Sequence, residues 1–167
     1  MDDAQKDLVD LLARFKSHAE AADGPGFGSL FTDDAVYVDG FHGPYHGPDA
    51  IGQMLVDDFY GAMTDCRWDL YEPVVNSGLG YFRYLFSYTS TLSDAAGKRV
   101  VFDGMARVTL KGSGADMKIR HYSEIFDRGL ALAQLDFAPE RIAKVVGRAA
   151  DLLRASPDAH PHINRKS

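Results

Sequence analysis

Cysteine is all but missing from this chain: Cys66 is the one example in 167 residues. A lone thiol excludes an internal disulfide framework and any multi-cysteine metal site. Long apolar runs are missing as well. No stretch approaches the roughly 18 apolar residues that a bilayer-spanning helix needs. The opening Met1-Asp2-Asp3-Ala4-Gln5-Lys6-Asp7 has none of the apolar centre of a secretory signal. These absences lead us to expect a cytoplasmic protein with no membrane partner. Basic clusters are also absent, since 18 Lys and Arg are outnumbered by 24 Asp and Glu, for a net charge of −6. That balance offers no footprint for a phosphate backbone, so nucleic acid is not an expected partner.

What is present fits one well-buried domain and is short for two. Residues 2–22 predict an amphipathic helix, with Asp2 as N-cap, Gln5 three residues on, and Leu8, Leu11, Leu12, Phe15 and Ala19 at helical spacing. Gly24-Pro25-Gly26 should end it, and a short helical turn around residues 27–31 should lead into a strand over residues 35–39. A second helix is expected from Pro48 to Met63, because proline suits a first helical position, with Ile51, Leu55, Phe59 and Ala62 buried. Four strands follow, at residues 66–75, 79–92, 99–110 and 116–127, separated by glycine-bearing turns with hairpin spacing. Residues 130–135 and a helix over 139–153 close the fold. We expect one domain over residues 1–155 and a polar, disordered tail over 156–167 whose His160 and His162 are solvated. Helices, then a long run of strands, then a helix, make an α+β chain.

Strand parity sharpens this, because side chains alternate between the two faces. Phe82, Tyr84, Phe86 and Tyr88 share one side of their strand, and Phe102, Gly104, Ala106, Val108 and Leu110 one side of the next. Their opposite sides carry Arg83, Ser87, Thr89, Arg99, Asp103, Arg107 and Lys111, so the apolar rows are the inward ones. On the last strand the matching side carries Tyr122, Glu124 and Phe126. A carboxylate between two inward aromatics is costly to bury unless it is paired or protonated. It is either a proton-transfer group with a raised pKa or an ion-pair partner of Arg120 or Arg83.

Two stretches carry the strongest signal. One runs Val36-Tyr-Val-Asp-Gly-Phe-His-Gly-Pro-Tyr-His-Gly-Pro-Asp-Ala-Ile51; the other is Arg120-His-Tyr-Ser-Glu-Ile-Phe-Asp127. The first is a strand bearing Tyr37 and Asp39, then a Gly/Pro-rich loop, then the helix opened by Pro48. His42 and His46 have Gly43 and Pro44 between them, so they do not share a helical face as zinc ligands do. The loop glycines do not follow the strand–GxGxxG–helix pattern of a dinucleotide site. No metal or other cofactor is expected. His121 has the opposite parity to Glu124 and should face away from the pocket.

Together the two stretches resemble the nuclear transport factor 2-like superfamily, SnoaL-like branch, which includes ketosteroid isomerase, scytalone dehydratase and limonene epoxide hydrolase. The resemblance covers most of residues 5–135. It implies a cone-shaped α+β barrel, with N-terminal helices packed on a curved antiparallel sheet and a C-terminal helix. Against the hydrolase motifs, Tyr37-Val38-Asp39 falls on Tyr-x-Asn, His46-Gly47-Pro48-Asp49-Ala50 on the helix start, and Tyr122 to Asp127 on the last strand. The acidic catalytic residue then falls on Glu124, and the water-binding pair on Tyr37 and Asp39. The Arg and Asp that such hydrolases carry on their central strand are replaced here by Tyr84 and Phe86, which disfavours epoxide opening.

The resemblance therefore implies a cofactor-free enzyme with Glu124, Asp39, Tyr37 and Tyr84 as catalytic candidates. Phe59, Phe82, Phe86, Phe102, Tyr122 and His46 are the candidates for binding a hydrophobic small-molecule substrate. The favoured reaction is that of a lyase on an aromatic or polycyclic compound, by dehydration or by retro-aldol release of a small aldehyde. A ketosteroid-isomerase-like isomerase or polyketide cyclase, an epoxide hydrolase and a non-catalytic binding module are the alternatives. The resemblance also suggests a homodimer formed through the outward sheet face around Arg83, Asp103, Met105, Arg107, His121 and Ser123.

Overall fold

The leucine stripe of the first helix becomes its packed face in the computed structural model, which describes residues 3–164. Helix α1 (Asp3–Glu20) buries Leu8, Leu11, Leu12, Phe15 and Ala19. The proposed N-cap, Asp2, lies outside the described residues. Gly24 and Pro25 do not merely stop α1. They open a second short helix, α2 (Gly24–Ser29), capped by Asp23, whose side chain accepts from the Gly26 N–H at 2.9 Å. Proline is tolerated there because an N-terminal N–H has no helical partner.

Strand β1 (Phe31–Val38) begins earlier than expected, and the Gly/Pro-rich loop after it contains a short strand, β2 (Pro44–His46), paired antiparallel to β1. Helix α3 (Gly47–Met54) is shorter than the periodicity predicts. It runs into one π-helical turn (Leu55–Phe59), closed by the Tyr60 N–H on the Leu55 carbonyl at 3.1 Å, and Met63 already belongs to the next strand. The wider turn shifts the facing of the last residues, as π-turns often do at functional sites. Ile51 and Leu55 are buried as expected, while Phe59 and Ala62 are half-buried beside a cavity.

The long strands follow the hairpin spacing of the sequence: β3 (Met63–Asn76), β4 (Leu79–Ser90), β5 (Arg99–Lys111) and β6 (Lys118–Phe126). The sheet order is β2-β1-β6-β5-β4-β3. The α+β architecture, N-terminal helices on a curved sheet with a C-terminal helix, is the expected one, and the sheet differs in two details. The sheet is mixed, because β1 pairs with β6 in parallel; the whole of α3 and four strands (β2, β3, β4 and β5) intervene, which is the long crossover a parallel pair requires. The sheet also stays open, since β2 is three residues long and the β2 and β3 edges do not meet.

Parity holds along the whole inward face. Phe82, Tyr84, Phe86, Tyr88, Phe102, Ala106, Val108, Tyr122 and Phe126 are all buried, in one core with the inward residues of α1, α2 and α3. After β6 come α4 (Arg128–Ala133) and α5 (Pro139–Ala155). No residue of α5 is fully buried, and it leans on the domain through Ile142 and Val145. The stretch read from the sequence as a polar tail continues through a 3-10 turn (Pro157–Ala159) and a short helix, α6 (His160–Ile163). Ser156 caps that turn by accepting from the Ala159 N–H, the local hydrogen bond that serine offers at such positions. Residues 165–167 of that tail lie outside the described residues. No helix among the described residues is long and apolar enough to cross a membrane.

Candidate active site

At one end of the inward face lies a cavity of about 330 Å³. Its floor comes from β1 and the turn after it and from β4, β5 and β6, which contribute Tyr37, Asp39, Tyr84, Phe86, Phe102 and Glu124. Phe59 enters from the π-turn, and Leu132, Leu135 and Phe137 close the far side from α4 and the segment after it. Aromatic packing is dense around it. Trp68 and Phe86 lie 4.1 Å apart between ring centroids, and Phe102 stacks on Phe126 at 4.7 Å. Such rings supply large, rigid apolar area for a flat ligand.

Glu124 is the polar centre. Tyr122 Oη donates to its Oε2 at 3.0 Å, and the Gly40 N–H donates to its Oε1 at 3.3 Å. Neither suggested ion-pair partner reaches it: Arg120 pairs with Asp34 at 3.0 Å and Arg83 with Asp103 at 3.1 Å. Among the described residues no cation lies within ion-pair distance of this carboxylate. Burial in the aromatic cavity pushes its pKa up to about 7, and the charge of Asp39 pushes the same way. The Tyr122 and Tyr84 hydroxyls and the Gly40 N–H pull it partly back.

Asp39 is buried and held by its own turn, accepting on Oδ1 from the N–H groups of Phe41 (2.8 Å) and His42 (2.7 Å). Tyr37 stacks on Tyr122, with centroids 4.3 Å apart and planes 6° apart. Burial first, and then the charge of Glu124, raise the hydroxyl pKa values of Tyr37, Tyr84 and Tyr122 well above the usual tyrosine range. All three are neutral donors at any physiological pH. Tyr84 Oη is buried and, among the described residues, has no hydrogen-bond partner. It is near enough to Glu124 to favour the ionised form of that carboxyl.

The structure thus brings together Glu124, Asp39, Tyr37 and Tyr84, with Phe59, Phe86 and Phe102 around them. Three proposed binding residues fall elsewhere. Phe82 is on the inward face but deeper along β4, sealed in the core with its ring 6.5 Å from that of Tyr122. Tyr122 supports Glu124 from behind and does not line the cavity. His46 is exposed, because its β2 register places it opposite Val36 while Tyr45 opposes the inward Tyr37. His42, at the mouth, is the loop histidine that borders the cavity instead.

Several lining residues carried no sequence signal for this role. Trp68 and Met63 lie on β3, whose bulges between Thr64 and Arg67 break simple alternation. Asp58 is turned inward by the π-turn and accepts from Tyr45 Oη at 2.6 Å. At the mouth Arg141 stacks over Phe137 at 3.5 Å while pairing with Asp94. His121 lies beside Arg107 and Thr109, away from the cavity. Among the described residues no group of three or more His, Cys, Asp or Glu is placed to hold a metal ion.

The SnoaL-like domain family matches residues 12–122. No curated protein matches the sequence at a significant level. Solved structures match the fold at low identity. A protein from Catenulispora acidiphila with a ketosteroid isomerase-like fold, in complex with trimethylamine, is 13% identical with a TM-score of 0.67, covering 78% of this chain and 98% of that one. The LinA-type3 hexachlorocyclohexane dehydrochlorinase of Novosphingobium barchaimii is 11% identical with a TM-score of 0.65, covering 73% of this chain and 85% of that one. A putative polyketide cyclase from Xanthomonas campestris is 16% identical with a TM-score of 0.64, covering 79% of this chain and 98% of that one.

Proposed function

Because this chain belongs to the SnoaL-like family, we propose that it is a cofactor-independent lyase acting on an aromatic or polycyclic small molecule. One observation carries the reading: Glu124 faces an aromatic cavity with hydroxyls around it and, among the described residues, no cation within ion-pair distance. A carboxyl poised near neutrality both takes and returns a proton at physiological pH. The dehydrochlorinase and the putative cyclase among the fold neighbours support proton-transfer chemistry in such a pocket.

In a dehydration, Glu124 removes the proton next to the carbon bearing the hydroxyl. The C–H electrons form the double bond, and the C–O bond breaks. The proton on Glu124 then joins the departing hydroxide as water, restoring the carboxylate. In a retro-aldol cleavage Glu124 instead takes the hydroxyl proton. The O–H electrons form the aldehyde carbonyl, the C–C bond breaks, and its electron pair is quenched by the proton that Glu124 returns. In both, Tyr84 and Tyr37 donate hydrogen bonds to the oxygen that gains charge, and Asp39 holds the turn that aims the Gly40 N–H at Glu124. The unpartnered Tyr84 hydroxyl favours one second reading, an isomerase or cyclase, since an enolate oxygen would satisfy it.

Incubation with a panel of aromatic diols, β-hydroxy ketones and enones, with mass detection, tests the proposal. Loss of water or of a small aldehyde is the expected result. Isomerisation without mass change supports the second reading, and binding without turnover makes this a binding module. With a substrate in hand, Tyr84→Phe should cost about 0.5–1.5 kcal/mol of transition-state stabilisation, roughly 2–10-fold in rate. A larger loss would place full oxyanion charge at Tyr84.

We further propose a cytoplasmic homodimer built on the outward sheet face. Ile125 is 81% exposed and Met105 50%, and they are direct cross-strand partners in the middle of that face. Sedimentation at micromolar concentration should give a dimer, and Ile125→Glu a monomer. A monomeric parent protein would remove the idea.

A further inference from the structure

Tyr84 and Glu124 stand on strands that are not neighbours, since β5 lies between β4 and β6. Two strand spacings amount to about 10 Å, so a tyrosine standing upright from β4 falls short of a carboxylate on β6. The residue between them is Gly104, in register with Tyr84 on one side and Phe126 on the other. A Cβ placed at position 104 would lie 2.4 Å from Tyr84 Oη and 2.6 Å from its Cζ. The hydroxyl occupies the very space that any other side chain would fill. Gly104 does not have a positive φ, so its backbone conformation is open to any residue. Glycine within a strand is otherwise unfavourable, and a close approach is the usual reason for it.

We propose that Gly104 is a positioning residue, whose missing side chain lets Tyr84 lean across β5 and present its hydroxyl beside Glu124. The inference rests on the reading of Glu124 and Tyr84 given above and deepens it. The hydroxyl so placed has no acceptor of its own among the described residues. From there it can donate to the Glu124 carboxylate or to a substrate oxygen at the buried end of the ring system. The other groups that bear on Glu124 come from the end of β1 (Tyr37, Asp39 and the Gly40 N–H) and from β6 (Tyr122).

The test needs no substrate. The Glu124 side-chain carboxyl is titrated by carbon-13 NMR in the parent protein, Gly104→Ala, Tyr84→Phe and the double variant. Tyr84→Phe removes a donor and should raise the titration midpoint by roughly half a unit to one unit. Gly104→Ala should raise it by a similar amount although the hydroxyl is retained, and the double variant should go no further than either single one. A parent-like midpoint in Gly104→Ala, a parent-like midpoint in Tyr84→Phe, or shifts that add in full would each overturn the proposal. Should Gly104→Ala alone fail to fold, Gly104→Ala combined with Tyr84→Leu, which removes the whole ring whose Cζ lies 2.6 Å from the new Cβ, should recover the fold. Its failure to recover would show that crowding against the Ile125 carbonyl, 2.9 Å from the same Cβ, is what matters, and would likewise overturn the inference. If no panel compound is turned over while the titration behaves as expected, the lyase reading fails and the positioning role stands.

Discussion

Glu124→Gln should lower the rate constant of the chemical step by about 10²–10⁴-fold, the usual contribution of a positioned acid–base group. The substitution keeps the shape of the side chain and an oxygen to accept from Tyr122, but it removes the group that titrates. With the Glu124 pKa pushed up to about 7 by burial and by Asp39, base catalysis in the parent enzyme should rise with pH and reach half its maximum near pH 7. Below that point the rate should fall about tenfold per pH unit, as the carboxylate is lost. In Glu124→Gln the residual rate should show no such limb. A variant with parent-like turnover and an unchanged pH profile would remove Glu124 from the chemistry.

The same substitution should make the protein more stable at alkaline pH. Glu124 is raised from an ordinary value of 4.5 to about 7, so the folded protein holds this proton more tightly than the unfolded chain. Stability from this group is therefore fully present below about pH 4.5. It is lost progressively as pH rises toward 7, and stays lost above it. The difference between the two values corresponds to at most about 3 kcal/mol, and to about 1–3 kcal/mol once the opening of the cavity to water is allowed for. Glutamine carries no such penalty. At pH 8 the variant should melt higher, by about 2–4 °C for each kcal/mol in a chain of this size. At pH 4 the two proteins should melt alike. A lower melting temperature at pH 8 would make Glu124 a structural hydrogen-bond partner, placed by Tyr122 and the Gly40 N–H for the sake of the fold.

A gain in stability paired with a loss of rate is what a carboxylate kept for chemistry predicts. Buried ionisable groups are costly when nothing neutralises them. Here Arg120 is engaged with Asp34 and Arg83 with Asp103. Arg128 donates to the Gly40 carbonyl, which belongs to the next peptide group along the chain from the N–H that meets Glu124. The surroundings of Glu124 are uncharged donors and Asp39, and this combination keeps its proton exchangeable near neutrality.

Side-chain alternation by itself determined which residues face inward. Tyr37, Asp39, Tyr84, Phe86, Phe102 and Glu124 were legible as one face because a strand repeats every two residues whatever it packs against. The leucine stripe of α1 was legible for the equivalent helical reason. Alternation names a face but carries no measure of distance along it. Only the tertiary structure decided that β4 passes from sealed core at Phe82 to open cavity at Phe86. The pairing and register of the strands decided the rest. They set β1 parallel to β6, swung His46 outward while Tyr45 opposes Tyr37, and put Gly104 between Tyr84 and the strand of Glu124. The roof of the cavity, Leu132, Leu135 and Phe137, was likewise beyond the sequence, because their periodicity marks them as apolar without saying which cavity they cover. Local periodicity is a property of the backbone, whereas the depth of a pocket and the reach of a hydroxyl depend on contacts made across the sheet.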